Sequence, residues 1–277
     1  MNIRKRLKAK VISELKDLQE SREDIYEFLT NFIKNIYLRH EFINTLLNDY
    51  KTKQLENKET LKIGAGLYIN SLVTCWETFF RDIFIFVGEV DTQVQQKINN
   101  FILEKNISIQ DLEKANLSIS EFMSKQFNFQ DLNETCVAFN FLFEKDKKSI
   151  IEYIEEFIIS DTIFSHMNYV LYWLQQKENI VDKIFETLNS AFEVRHKVIH
   201  DANFKLEIRP EFMSSVEDCF IIIPQFVAIW LSEKYNQKIS VYNTENNYIR
   251  LTNELRSKEL PYIFSKQNFT EKYTIKE

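Results

Sequence analysis

Three residues able to hold an anion and move protons fall within six consecutive positions, Arg195-His196-Lys197-Val198-Ile199-His200. A guanidinium presents a planar fork of donors that stays charged, and an imidazole exchanges its proton near neutral pH. The four-residue step from His196 to His200 sets both imidazoles on one flank of a helix, near enough to address one small site. Arg195 instead continues an apolar stripe formed by Val181, Ile184, Phe185, Leu188, Phe192 and Ile199, so it occupies a core-facing place. A buried, unpaired guanidinium is too costly to persist. Arg195 must meet a carboxylate, meet carbonyls, or open into a crevice or interface where an anion sits. His200 lies roughly 140° around the helix from Arg195, an arrangement that suits a groove with a shared rim better than a closed pocket. A metal site on His196 and His200 would lack both the glutamate of an H-E-x-x-H pattern and an obvious third ligand. His40 and His166 read as surface or satisfied histidines.

The elements that must position these groups are helices. Among 277 residues there are only three glycines and three prolines, so the material for turns and for glycine-rich phosphate loops is scarce. Hydrophobic residues make up 44% of the chain, enough for a substantial core. Cys75, Cys136 and Cys219 are isolated and odd in number, which fits a reducing, cytoplasmic setting and neither a disulfide framework nor a zinc knuckle. A formal charge of −6 disfavours broad adhesion to nucleic acid but leaves room for a local basic site. No apolar signal segment follows the basic residues Arg4 to Lys10. The longest apolar stretch, Cys219 to Leu231, is interrupted by Pro224 and Gln225 and reads as a core helix, so no membrane partner is expected.

Periodicity predicts an all-α fold, with a long N-terminal helical region over 3–53 and a second helix over 60–87. Choppier pieces follow at 94–103, 109–115, 120–126 and 132–143. Further helices are expected at 149–158, 161–175, 179–203 and 210–235, with Pro210 in a first turn and Pro224 as a kink. Residues 1–238 read as a single helical domain, in which about 90–147 form an insertion or cap, and 239–277 as a C-terminal tail that is irregular or a short strand pair.

The segment Phe192-Glu193-Val194-Arg195-His196-Lys197-Val198-Ile199-His200-Asp201 resembles the HEPN superfamily motif: an arginine, a polar residue, three further residues and a histidine. Leu72-Val73-Thr74-Cys75-Trp76-Glu77-Thr78-Phe79-Phe80-Arg81-Asp82-Ile83 is similar to the tryptophan–glutamate helix of the RiboL-PSP branch. The resemblance implies a HEPN-like antiparallel helical bundle, and a homodimer in which two arginine–histidine helices face each other. It also implies metal-independent RNA cleavage without a cofactor. Arg195 would hold the scissile phosphate, His200 would shuttle protons between the ribose 2′-hydroxyl and the leaving 5′-oxygen, and His196 would orient the backbone or contact phosphate. Glu77 would either pair with Arg81 on its own helix or support the site by reaching Arg195; Trp76 reads as core. A toxin–antitoxin or antiviral role, with a neutralising or regulatory protein partner, follows by analogy. Ala202 stands where adenylylated toxins of the superfamily carry a tyrosine, so a nucleotidyltransferase antitoxin is not implied. The competing reading is a non-catalytic scaffold that binds RNA or protein, in which Arg195 and His200 serve packing.

Overall fold

The local chemistry of the chain starts its helices where short polar side chains can satisfy the first free backbone N–H groups. A computed structural model describes residues 3–20, 23–53, 57–105, 109–143, 179–237, 240–243 and 247–250, with isolated positions 173 and 176. Helix α1 spans Ile3–Glu20. After a 3-10 turn at Ile25–Glu27, whose Asp24 side chain accepts from Tyr26 N, α2 runs over Phe28–Lys51. The N-terminal region is therefore two helices. Asn57 caps the 33-residue α3, Lys58–Val90, which is about 50 Å long. Asp91 then caps α4 (Thr92–Glu104), followed by α5 (Ile109–Lys114). A reciprocal Ser118/Glu121 box starts α6 (Ile119–Ser124), and Asp131 starts α7 (Leu132–Leu142). Asn179 caps α8, Ile180–His200, and α9 spans Pro210–Lys234. The expected helices at 149–158 and 161–175 lie outside the described residues.

Side-chain contacts fix the helix directions. Phe28 meets Phe86 at one end of the α2–α3 pair, and Leu46 abuts Gly64 at the other, so the two are antiparallel. Val198 meets Gly66, and Phe192 meets Trp76, so α8 is antiparallel to α3 as well. Tyr68 bonds Glu217, Trp76 packs on Phe220 and Phe86 on Tyr235, which sets α9 parallel to α3. The result is a bundle in which α2 and α8 run opposite to α3 and α9, with α3 buried along most of its circumference. Helices α4, α6 and α7 pack against α3. Among the described residues the protein is all-α apart from a hairpin of Ser240–Asn243 (β1) with Asn247–Arg250 (β2), in which Val241 pairs with Ile249. The hairpin lies within 239–277, where a tail is expected, and the remainder of that stretch is outside the described residues.

Helix α9 is, among the described residues, the one long and apolar enough to cross a membrane by length and composition, yet 94% of its most apolar window is buried inside the protein. It runs on through Pro224, and the Gln225 side-chain amide donates to the Ile221 carbonyl at 2.7 Å in the same turn. The buried centre also holds a polar cluster: Tyr68 donates to Glu217 Oε1 at 2.6 Å, and His40 Nδ1 lies 3.7 Å from the same oxygen. His40 is a satisfied core histidine.

Candidate functional site on α8

Helix α8 is seated on α3 by two dissimilar contacts. At one, Gly66 has no side chain, and a Cβ there would stand 2.9 Å from Val198 Cγ2. At the other, the Trp76 ring meets Phe192 at 6.1 Å and Phe220 at 5.4 Å between centroids, joining three helices at one aromatic cluster. Arg195 falls on the turn between these contacts.

The apolar face of α8 departs from the expected stripe at its C-terminal end. Ile180, Ile184, Thr187, Leu188, Ala191 and Phe192 are buried, and Val194 packs against the core, but Ile199 is 46% exposed. The stripe thus leaves the core beyond Phe192 because the helix is running out past its last covering neighbours. Asp201 closes α8 at His200, three residues short of the expected end: its N–H donates to Lys197 O, and its own carbonyl and carboxylate accept from Phe204 N and Asn203 N. Beyond it, Phe204, Leu206 and Ile208 turn inward alternately with Lys205, Glu207 and Arg209 in extended chain. Lys205 ties this segment to Glu59 at the start of α3 at 2.6 Å. That ion pair, with Lys62 second, holds the Glu59 carboxyl down at about 2 from its ordinary 4.5.

Arg195 is half-buried and lines a cleft of about 520 Å³ between α8 and the segment entering α7. Among the described residues it has no hydrogen bond or ion pair, so of its three possible solutions the crevice is the one realised. His196 and Lys197 line the same cleft, and Phe192 forms part of its wall. His200 is not among the lining residues. Its ring lies 4.6 Å from that of His196 at 51°, both imidazoles being exposed one turn apart. One copy of the chain therefore brings Arg195 and His196 together and leaves His200 on the rim. Two acids, Asp131 and Glu193, also line the cleft. Asp131 accepts from Glu134 N at 2.9 Å as the cap of α7, and that helix end offsets its charge; Glu193 is solvent-exposed.

Glu77 takes the local alternative. It accepts a hydrogen bond from Arg81 on its own helix and another from the Gln130 side-chain amide, and it has no bond to Arg195. Its connection to the cleft runs through Gln130. The opposite wall, Asn128, Gln130 and Asn133, was not anticipated from sequence. The polar run Asn128-Phe129-Gln130-Asp131 signals a turn and a helix cap, but not which helix it faces.

None of the three cysteines competes as a nucleophile. Burial pushes the Cys75 thiol up to about 12 and Cys136 to about 11, and raises Cys219 well above its ordinary value. Among the described residues no three of His, Cys, Asp and Glu gather where they could hold a metal ion. Comparison with known proteins matches no family model, no curated protein and no solved structure, so what this site does has to be read from its own geometry.

Proposed function

We propose that the protein is a cytoplasmic, metal-independent endoribonuclease of HEPN type that acts as a homodimer. The observation that carries this reading is the half-buried Arg195, without a hydrogen-bond or ion-pair partner among the described residues, opening beside His196 into a cleft. A phosphate is the natural occupant for such a fork. In the reaction, His200 of one copy takes the proton of a ribose 2′-hydroxyl and the 2′-oxygen attacks phosphorus. The P–O5′ bond breaks as a second histidine protonates the leaving oxygen, yielding a 2′,3′-cyclic phosphate and a 5′-hydroxyl. Arg195 holds the phosphate, and His196 contacts it from within the cleft.

The rim position of His200 is the reason to invoke a second copy. One chain does not present two imidazoles inside the cleft, whereas a partner helix laid across Ile199 and His200 would bring its own. The exposed Ile199 supplies apolar area for that contact. A toxin or antiviral effector held in check by a neutralising protein is the biological setting this activity would suit.

Incubation of the purified protein with single-stranded RNA in excess EDTA tests the proposal. Cyclic-phosphate termini are expected to accumulate. Cleavage that appears only on adding a divalent ion would overturn the mechanism. The rim position of His200 also favours the second reading, a non-catalytic RNA- or protein-binding scaffold, and a strictly monomeric protein in light scattering at micromolar concentration would support it.

A further inference from the structure

Five of the nine large hydrophobic residues that stand exposed among the described residues gather on one face of the bundle: Leu38 and Phe42 on α2, Ile63 and Leu67 on α3, and Ile199 on α8. The two close approaches to α3 fix that face. The side-chain position of Gly64 points at Leu46 of α2, and that of Gly66 at Val198 of α8. At about 100° per residue, Ile63 and Leu67 fall between these directions on the side away from the core, whereas Ala65, Tyr68 and Ile69 fall on the buried side. Phe42 and Leu38 stand one and two turns before Leu46 along the α2–α3 seam, and Ile199 follows Val198. Ile199 is also one turn from His196, so the face runs up to the mouth of the Arg195 cleft.

Charge is missing from the centre of this face. From Ile63 to Trp76, α3 carries no Asp, Glu, Lys or Arg, although 27% of the chain is charged, and its outer positions continue as Asn70 and Thr74. A solvated helix face ordinarily carries charges, and their depletion marks the core of an interface. The charges that flank the stretch are tied within the chain, Glu59 to Lys62 and Lys205 at one end and Glu77 to Arg81 at the other, so covering the face strands none of them. The five apolar side chains are 46–65% exposed, which leaves about 400–500 Å² of apolar surface at about 150–200 Å² per side chain. A standard interface buries about 800 Å² on each partner with a little over half of it apolar, so this face supplies what one stable dimer needs. We infer that it seats a second copy of the chain by two-fold pairing, with the main contact on α2 and α3 and the edge at Ile199, where the partner closes the open margin of the Arg195 cleft. This pairing rests on the dimeric reading of the cleft and gives that dimer its surface.

Sedimentation velocity on the full chain from about 1 to 100 µM, with RNA cleavage measured at the same concentrations, tests the pairing. The parent is expected to dimerise with a Kd of about 1 µM or below. Leu67→Glu at the centre of the face and Leu38→Glu at its α2 margin should each weaken the dimer by about a hundredfold, because a two-fold contact buries every introduced charge twice. Cleavage by Leu67→Glu should fall with the dimer and return at high protein concentration. Leu103→Glu, at an exposed apolar residue of α4 outside the face, should leave the dimer intact. Leu38 is the most exposed of the five, so Leu38→Glu decides the matter where Leu67→Glu does not fold. A strict monomer at about 100 µM, or a parent-like dimer in either variant once folded, would overturn the pairing. Cleavage by a dimer that ignores both substitutions keeps the dimeric nuclease and removes this surface; loss of the dimer in both variants, with no cleavage by the parent, keeps the surface and removes the nuclease.

Discussion

Replacing Gly66 by alanine should do more harm to the site than to the fold. In an exposed helix the change would stabilise by about 1 kcal/mol through backbone entropy alone. Here the new Cβ would stand 2.9 Å from Val198 Cγ2, against an ordinary carbon–carbon contact of about 3.5 Å. Val198 is β-branched and stiff at χ1 within a helix, so it cannot swing aside, and α8 must move by roughly half an ångström. Overpacking of this kind costs about 1–3 kcal/mol, leaving a net loss of about 1 kcal/mol and a thermal midpoint lower by about 2–4 °C. The displaced turn is the one between Arg195 and His200. A shift of about half an ångström in positioned groups is worth roughly tenfold in rate, so cleavage should fall by about that factor while the melt changes little. A double-mutant cycle with Val198→Ala, read by thermal melts and by initial cleavage rates, isolates the contact: the second substitution should relieve the first by about 1 kcal/mol. If Gly66→Ala raises the midpoint and the pair is additive within about 0.3 kcal/mol, α8 does not approach α3 as described.

Three other outcomes follow from packing and charge. Trp76→Ala should cost about 3–5 kcal/mol in a denaturant titration, since it empties the centre of the cluster with Phe80, Phe192 and Phe220. The Glu59 carboxyl titrates lower in the folded chain than in the unfolded one, so its ion pair with Lys205 stabilises fully above about pH 4.5. That contribution should fade as pH falls toward about 2, and Glu59→Gln should flatten this part of the stability–pH curve. Iodoacetamide near neutral pH should leave Cys75 and Cys219 unmodified in the native protein and label all three thiols in denaturant, as mass spectrometry will show.

Much of the helical framework was legible because its signals are local. Hydrophobic periodicity placed the boundaries within a few residues, and the structure adds the caps Asn57, Asp91, Ser118, Asp131 and Asn179, each accepting from the first turn of its helix. Two of the three glycines of α3, Gly64 and Gly66, were harder to read. In sequence Gly64 and Gly66 are helix weaknesses; in the folded chain they are where Leu46 of α2 and Val198 of α8 come closest, a property of pairs of helices. Arg195 shows the same limit. Periodicity puts it on the core-facing side, yet only the partner segment around Gln130 decides that this side is a cleft. Ile199 has the right spacing for the core and is exposed because α8 ends one residue later. Glu77 was placed between two partners, Arg81 and Arg195, and the structure gives it Arg81 together with Gln130, a residue 53 positions away that spacing could not nominate.

The most direct test of the account is RNA cleavage by His200→Ala set beside Arg195→Ala. His200 is exposed on the last turn of α8, so its loss should leave the melt almost unchanged. Cleavage should fall by about a hundredfold or more, the usual share of a general acid–base group, while RNA binding at fixed salt survives because Arg195 remains. Arg195→Ala should weaken binding and cleavage together. His200→Gln, which keeps volume and hydrogen bonding but cannot relay protons near neutral pH, should behave like the alanine variant. Parent-like cleavage by both His200 variants, with a denatured-protein control free of nuclease, would contradict the enzymatic account and leave the scaffold in its place.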